Sequence, residues 1–424
     1  MGGVNVDPNF AREIIALGGK DLRKCMQCAN CSVVCPLSPE DDPFPRKEMI
    51  WAGWGLKERL LKDPNVWLCY NCADCSAYCP RDAKPGQVMN AIRARVISEF
   101  AWPKFVGKVL NRSWGFPIFV IIVPAIVLLS LIYWANPGIF AGQLPSGTIE
   151  TSKLISTTNV EIAGFILGGF ALLIGLIGMW RYWLAITDGG GMEFTVKPLE
   201  NAELEIKGKP GFMGLYFFEA FFFVLRDILY HNWFKICEAN KPRFPAHLLI
   251  FYGFIGAAIA TLGAILGLGH ILEFRLPISL GYYPLPWPWE LLYAKEIDPM
   301  FLIASGFKLI GILAGLAIIL GSGVAIWNRL FNKKTKEFGS YYDWFFLLVV
   351  FFVGVTGYGV IIARALESTA TYWIYLVHLY FVFMLLVYAP YSKFAHMLYR
   401  TVAMIYAWTR DRYPKTPKYF WEAW

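Results

Sequence analysis

The sequence predicts an all-α protein: a helical head built around two cysteine runs, then a bundle of six membrane-spanning helices. Three observations lead there. The 424 residues are 57% apolar and only 17% charged, against roughly a quarter charged in ordinary soluble chains. After residue 112 the apolar residues gather into charge-free runs of about twenty, the length of a bilayer crossing. Before it, apolar residues recur at helical spacing and no stretch alternates with the period of a strand. Residues 1–112 are therefore expected to form the head and 113–424 the membrane domain.

In the head, Asp7-Pro8 followed by Phe10, Ile14, Ile15 and Leu17, with Gly18-Gly19 beyond, predicts a short helix with a glycine stop. A second helix is predicted from Arg46 to Leu61, and a basic third from Gln87 to Phe100. Met1–Phe10 lacks a basic start followed by an apolar core, so no cleaved signal peptide is expected and the head should stay in the cytoplasm.

The cysteines punctuate these helices. Cys25, Cys28, Cys31 and Cys35 form C-x2-C-x2-C-x3-C, closed by Pro36, and Cys69, Cys72, Cys75 and Cys79 repeat it, closed by Pro80. This is the spacing of two-cluster ferredoxins, in which the fourth cysteine of each run ligates the other cluster. Cys25, Cys28, Cys31 and Cys79 would hold one [4Fe–4S] cluster, and Cys69, Cys72, Cys75 and Cys35 the other. Structural zinc spaces its ligand pairs more widely, and neither run reads C-x-x-C-H, as covalent haem requires. Eight of nine cysteines are thereby used, as in a reducing compartment; Cys237 is left as an ordinary interfacial thiol.

The predicted spans are 114–134, 162–180, 244–272, 300–327, 344–363 and 372–390. The 212–237 stretch is interrupted by Glu219, Arg226, Asp227 and Lys235 and is read as an amphipathic helix at the interface. Segments 181–243, 328–342 and 393–424 then hold eight, four and six Lys/Arg, and the opposite loops 136–160, 273–298 and 364–371 hold one, two and one. The positive-inside rule puts both termini in the cytoplasm. The net charge of +8 thus sits beside the spans and calls for no nucleic acid. Trp114, Trp134, Trp180, Trp183, Trp287, Trp289 and Trp327 fall near span ends, where an aromatic belt is expected. The basic, aromatic tail 395–424 suits the inner membrane surface or a partner.

All five histidines follow residue 230, and an ionisable group in a span is costly enough to imply function. His378 and His396 are eighteen residues apart, five turns of a continuous helix and about 27 Å, as for axial ligands of two b-type haems stacked across a bilayer. His247 lies at the depth of His396 and is expected to share a haem with it. The partner of His378 is His270 or, alternatively, His231, leaving one haem or two. Lys308, in the outer half of the fourth span, is read either as a snorkelling lysine or as a donor at a quinone site.

Cys25–Cys35, continuing into Leu37-Ser-Pro-Glu-Asp-Asp-Pro-Phe-Pro-Arg-Lys47 and then Trp67-Leu-Cys69, resembles the C subunit of heterodisulfide reductase. Together with the membrane half it is similar to the membrane-subunit family of the quinone-interacting membrane-bound oxidoreductase (Qmo) of sulfate reducers. His378-Leu-Tyr-Phe-Val-Phe and Pro390-Tyr-Ser-Lys-Phe-Ala-His396 resemble the haem-ligand helix of the nitrate reductase gamma subunit, and His247 matches the first ligand of its partner helix. Ten residues on, where that subunit has a second histidine, this chain has Ala257. The resemblance implies a two-cluster ferredoxin fused to a cytochrome b domain, a quinone-interacting subunit inactive on its own. It also implies electron flow from menaquinol to two heterodisulfide-reductase-like flavoproteins (QmoA and QmoB) and onward to adenylylsulfate reductase. The alternatives are the membrane subunit of another heterodisulfide-reductase-like or Dsr-type complex, or a haem-free iron–sulfur anchor.

Overall fold

A computed structural model describes residues 5–39, 42–110, 118–147, 149–187, 194–196, 206–208, 215–237, 241, 243–268, 299–331 and 341–409. They are overwhelmingly helical. The described exception is a short antiparallel pair, β1 (Phe194–Val196) with β2 (Ile206–Gly208), in register Phe194↔Gly208.

The head begins with α1 (Phe10–Ala16), which buries Phe10 and Ile14. The helix expected over Arg46–Leu61 is two pieces, α2 (Arg46–Gly53) and α3 (Lys57–Leu61). Gly55 separates them at φ +73°, and a Cβ there would run into the Asp7 carbonyl oxygen. Only glycine allows the chain both that turn and that approach. The longest head helix, α4 (Pro85–Phe100), starts two residues before the expected Gln87, with proline in its first turn, where a missing N–H costs nothing.

Among the described residues, five helices are long and apolar enough to cross a membrane: α5 (Thr157–Ile186), α6 (Phe244–Leu268), α7 (Pro299–Phe331), α8 (Tyr341–Ala365) and α9 (Ala370–Tyr388). They carry the second to sixth expected spans, several extended by a turn or more; residues 269–272 of the third lie outside the described ones. The first expected span falls on a shorter apolar helix, a π-turn, Ile118–Ile122, running into Val123–Ala135, below the length of the five; residues 114–117 lie outside the described ones. Small residues let α6 and α7 approach closely. A Cβ on Gly321 would lie 2.7 Å from the Ala246 carbonyl oxygen, and one on Gly253 2.7 Å from Ile318.

Two expectations change here. His378 and His396 do not share a helix: α9 ends at Tyr388, and the turns Ala389–Tyr391 and Lys393–Ala395 intervene, with Ser392 extended between them. Pro390 removes an amide donor and stops the helix, so the common-face argument fails. The expected tail instead forms a helix, α10 (His396–Thr409), whose Tyr399, Val402, Ala403, Met404 and Ile405 are buried in one apolar core with Val66, Trp67, Met89 and Ile92 of the head. Trp183 lies in that core as well, 2% exposed, and so is no belt residue. Trp134 and Trp327, 83% and 63% exposed, fit a belt; Trp114, Trp287 and Trp289 lie outside the described residues.

Candidate redox centres

The two cysteine runs have the same local backbone. In the first, Gln27 and Ala29 take positive φ (61° and 70°); in the second, Asn71 and Ala73 do (52° and 81°). A one-turn helix follows each, Asn30–Val33 and Asp74–Ala77. Left-handed conformations in non-glycine residues are uncommon and collect at functional sites. Here, in the first run, they accompany three cysteines, Cys25, Cys28 and Cys31, that line one pocket.

Cys25, Cys28, Cys31 and Cys79 line one small pocket, so the fourth cysteine of the second run has crossed to the first. Cys35 has crossed the other way: burial pushes its thiol up to about 12, helped by the nearby Cys69 and Cys72. The Asn71 and Ala83 amides point at the Cys69 and Cys79 sulfurs, each at 3.3 Å, and such hydrogen bonds tune cluster potentials. Cys25, Cys28, Cys31 and Cys79 share one pocket, and Cys35, Cys69, Cys72 and Cys75 lie near one another; thiols grouped in this way fit the two expected clusters.

Cys237 is not the ordinary interfacial thiol expected. It is 1% exposed and lies beside the Cys72 side chain.

The second run faces the membrane helices and the first faces away. Arg93 donates to the Val66 carbonyl at 2.8 Å and to that of Cys69. Arg400 of α10 reaches the Leu68 carbonyl at 3.3 Å, and Arg243, just before α6, that of Asn71 at 3.1 Å. Arg400 also lies 3.4 Å over the Tyr70 ring. Asn90 of α4 donates to Asp343 at the start of α8, at 2.6 Å. The opposite end is open: Cys28 is exposed, and Met26, Val33 and Tyr78 stand out around it.

Beneath the second run lies a cavity of about 1460 Å³ bounded by Tyr70 and Asn71 on one side and by His231, His247 and His396 on the other. It exceeds the usual 300–1,000 Å³ of small-molecule pockets. His396 Nδ1 is 2.5 Å from the Lys393 carbonyl oxygen, which can only accept, so Nδ1 carries the proton and Nε2 keeps its lone pair. His247 Nδ1 is likewise engaged, 2.9 Å from His231 Nε2. Neutral imidazoles with Nδ1 occupied and Nε2 open suit an axial metal ligand, so these residues fit the expected haem.

His378 repeats the arrangement on α9. Its Nδ1 lies 3.1 Å from Thr356 Oγ1, whose own proton goes to the Phe352 carbonyl at 2.5 Å. Gly357 makes room for the ring, since a Cβ there would lie 3.1 Å from His378 Cε1. His378 and Lys308 do not line the cavity of His247 and His396; Lys308 is half-buried on α7, and His270 lies outside the described residues. The stretch expected as an interfacial helix is Leu215–Tyr230 and Asn232–Ile236, broken by His231 at φ +53°. Among the described residues, Phe218 and Phe222 are exposed along it.

Residues 21–83 match the family described as a 4Fe-4S dicluster domain. The chain is 37% identical over 119 residues to the C subunit of the H(2):CoB-CoM heterodisulfide,ferredoxin reductase of Methanothermobacter marburgensis, covering 27% of this chain and 64% of that protein. Over 97 residues it is 37% identical to a protein of Archaeoglobus profundus named as like the heterodisulfide reductase C subunit, covering 23% of this chain and 52% of that protein. It is 23% identical over 274 residues to the E subunit of the dihydromethanophenazine:CoB–CoM heterodisulfide reductase of Methanosarcina mazei, 60% of this chain and 95% of that protein. The chain thus spans less than two thirds of the C-subunit proteins it matches. No solved structure matches it. In one chain it combines a 4Fe–4S region similar to the C subunits of heterodisulfide reductases with a multi-pass membrane region similar to their E subunits.

Proposed function

We propose that the chain is the membrane subunit of a multi-subunit oxidoreductase, carrying electrons from menaquinol to cytoplasmic flavoprotein partners. It would have six spans, with the head and both termini in the cytoplasm. One observation carries this reading: the cavity edged by His247 and His396 is also edged by Tyr70 and Asn71 of the second cysteine run. When bound, the b-type haem and the two [4Fe–4S] clusters supply one-electron carriers, and the protein sets their potentials through ligands, hydrogen bonds and burial.

The residues have distinct tasks. His247 and His396 line the cavity with Nδ1 engaged, on two elements that the α6–α7 packing and the Pro390 break hold in place; Nε2 of each would be the ligand atom. Arg93, Arg243 and Arg400 fix the carbonyls of residues 66–71 against it. Cys69, Cys72, Cys75 and Cys35 form the inner cysteine set. Cys25, Cys28, Cys31 and Cys79 form the outer one, where exposed Cys28 marks the face for a redox partner. His378, with His270, is the candidate for a second haem, and Lys308 for a quinone contact. The likeness to a protein named for dihydromethanophenazine supports a reduced, small organic donor.

The partners on this reading are two heterodisulfide-reductase-like flavoproteins (QmoA and QmoB) and, beyond them, adenylylsulfate reductase. A second reading, service in a different heterodisulfide-reductase-like complex, is favoured by the names of the relatives themselves. Rapid mixing of the purified complex with a menaquinol analogue under anaerobic conditions tests the proposal. Cluster absorbance should bleach, more slowly in Lys308→Ala; no bleaching by quinol while dithionite still reduces the clusters would sink it. Adenylylsulfate reductase reoxidising the reduced complex separates the first reading from the second.

A further inference from the structure

His231 is one of the two expected candidates for a fourth iron ligand. Its geometry gives it another role. Its Nε2 lies 2.9 Å from His247 Nδ1, and its Nδ1 lies 3.4 Å from the Leu229 carbonyl oxygen. That carbonyl also accepts from Tyr252 Oη at 2.7 Å and has no proton to give. A neutral His231 therefore donates through Nδ1 and accepts at Nε2. His247 must be the donor in the pair, which leaves His247 Nε2 for metal.

The two histidines cannot face one another across a single iron. Metal–nitrogen bonds of about 2.0–2.1 Å place opposed nitrogens about 4 Å apart, well beyond the observed separation. We propose that His231 is a positioning residue behind a haem ligand: it accepts the Nδ1 proton of His247, fixes that ring's tautomer and orientation, and makes it a more basic ligand. The inference rests on the reading of His247 as a haem ligand.

Three features support a built arrangement. His231 is held at φ +53° between Leu215–Tyr230 and Asn232–Ile236, a conformation that costs free energy and persists only where the surroundings enforce it. Its ring is packed edge-on against Phe251, with centroids 4.8 Å apart, and near Phe234 at 6.4 Å. Low polarity there strengthens a hydrogen bond. Finally, the other proposed ligand of the pair has a different backing: His396 Nδ1 meets a backbone carbonyl. A side-chain acceptor behind one axial ligand can be changed by mutation without touching the ligand itself. Partners of this kind orient metal-bound imidazoles and raise their basicity, which favours the ferric state.

The test uses the purified full-length protein with its cofactors, comparing wild type with His231→Leu, His231→Phe and His231→Gln. Wild type should show a low-spin bis-histidine haem. The leucine and phenylalanine variants should keep that haem but raise its midpoint potential, by about 59 mV for each tenfold change in a one-electron equilibrium, and shift its low-spin EPR signal. His231→Gln, whose amide oxygen can accept the same proton, should return both toward wild type. The cluster signals report folding, and phenylalanine keeps the ring shape should leucine disturb assembly. An unchanged potential and EPR signal in both apolar variants overturns the proposal. So does conversion to a high-spin haem with intact clusters, which would make His231 a ligand. Wild-type protein without b-type haem overturns the underlying haem reading instead.

Discussion

Trp67 stacks on Tyr399 with ring centroids 5.3 Å apart and planes at 18°. One ring lies two residues before the second cysteine run and the other on the helix that begins with His396. Tyr182 of α5 closes the contact, 5.4 Å from Tyr399. The iron–sulfur head and the membrane helices therefore share one core. Tyr399→Ala should destabilise that junction by about 3–5 kcal/mol, the usual cost of truncating a buried aromatic. Thermal unfolding of the detergent-solubilised protein, followed by loss of cluster absorbance, should show a lowered midpoint; an unchanged one would mean that head and membrane domain melt independently.

The crossed cysteine sets make a spectroscopic prediction. Cys79→Ser should perturb the same cluster EPR signal as Cys28→Ser, and Cys35→Ser the same signal as Cys72→Ser. If Cys79→Ser instead resembles Cys72→Ser, each run serves its own cluster and the crossing is wrong.

Glu48 is fully buried on α2 with neither carboxylate oxygen hydrogen-bonded. Burial raises its pKa well above the usual value and neighbouring Asp63 raises it further, against a lowering by Lys47. Between the unfolded pKa, about 4.3, and the higher folded one, the folded state holds a proton that the unfolded state has released. Stability is thus intact below the lower value and falls as pH rises through this window. Glu48→Gln should be the more stable protein at neutral and alkaline pH, with the gap closing toward pH 4. Melting temperatures across pH check this, and a gap independent of pH would contradict it.

Gly321 touches the turn that carries His247. Because a Cβ there would meet the Ala246 carbonyl oxygen at 2.7 Å, Gly321→Ala should displace the start of α6. Haem per chain, measured by pyridine haemochromogen, should fall while iron and sulfide in the head are preserved.

Local patterns were readable from sequence and long-range ones were not. Each cysteine run spans eleven residues and is readable locally, whereas Cys79 reaches the pocket of Cys25, Cys28 and Cys31 across the fold. Charge-free length located the crossing helices, though their ends run on wherever Arg181 or Arg329 remains helical. What failed depended on distant contacts. Pro390 breaks α9, yet the turns after it still deliver His396 to the cavity of His247, for a different reason from the helical spacing that suggested the pair. The 395–409 segment reads as a surface tail because its buried face, Val402 to Ile405, has its partners in the head. Cys237 belongs to no motif, and only folding brings it to Cys72. His231 is one of two candidate ligands in the sequence, and only the partners of its two ring nitrogens separate it from that role.

The most direct test of the central claim is a reduced-minus-oxidised optical spectrum of the purified protein, with haem and iron counted per chain. The account predicts a reducible b-type haem alongside two [4Fe–4S] clusters, with haem absorbance lost in His396→Ala while the cluster signals remain. Clusters without any reducible haem in the wild-type protein would contradict it and leave the chain an iron–sulfur anchor.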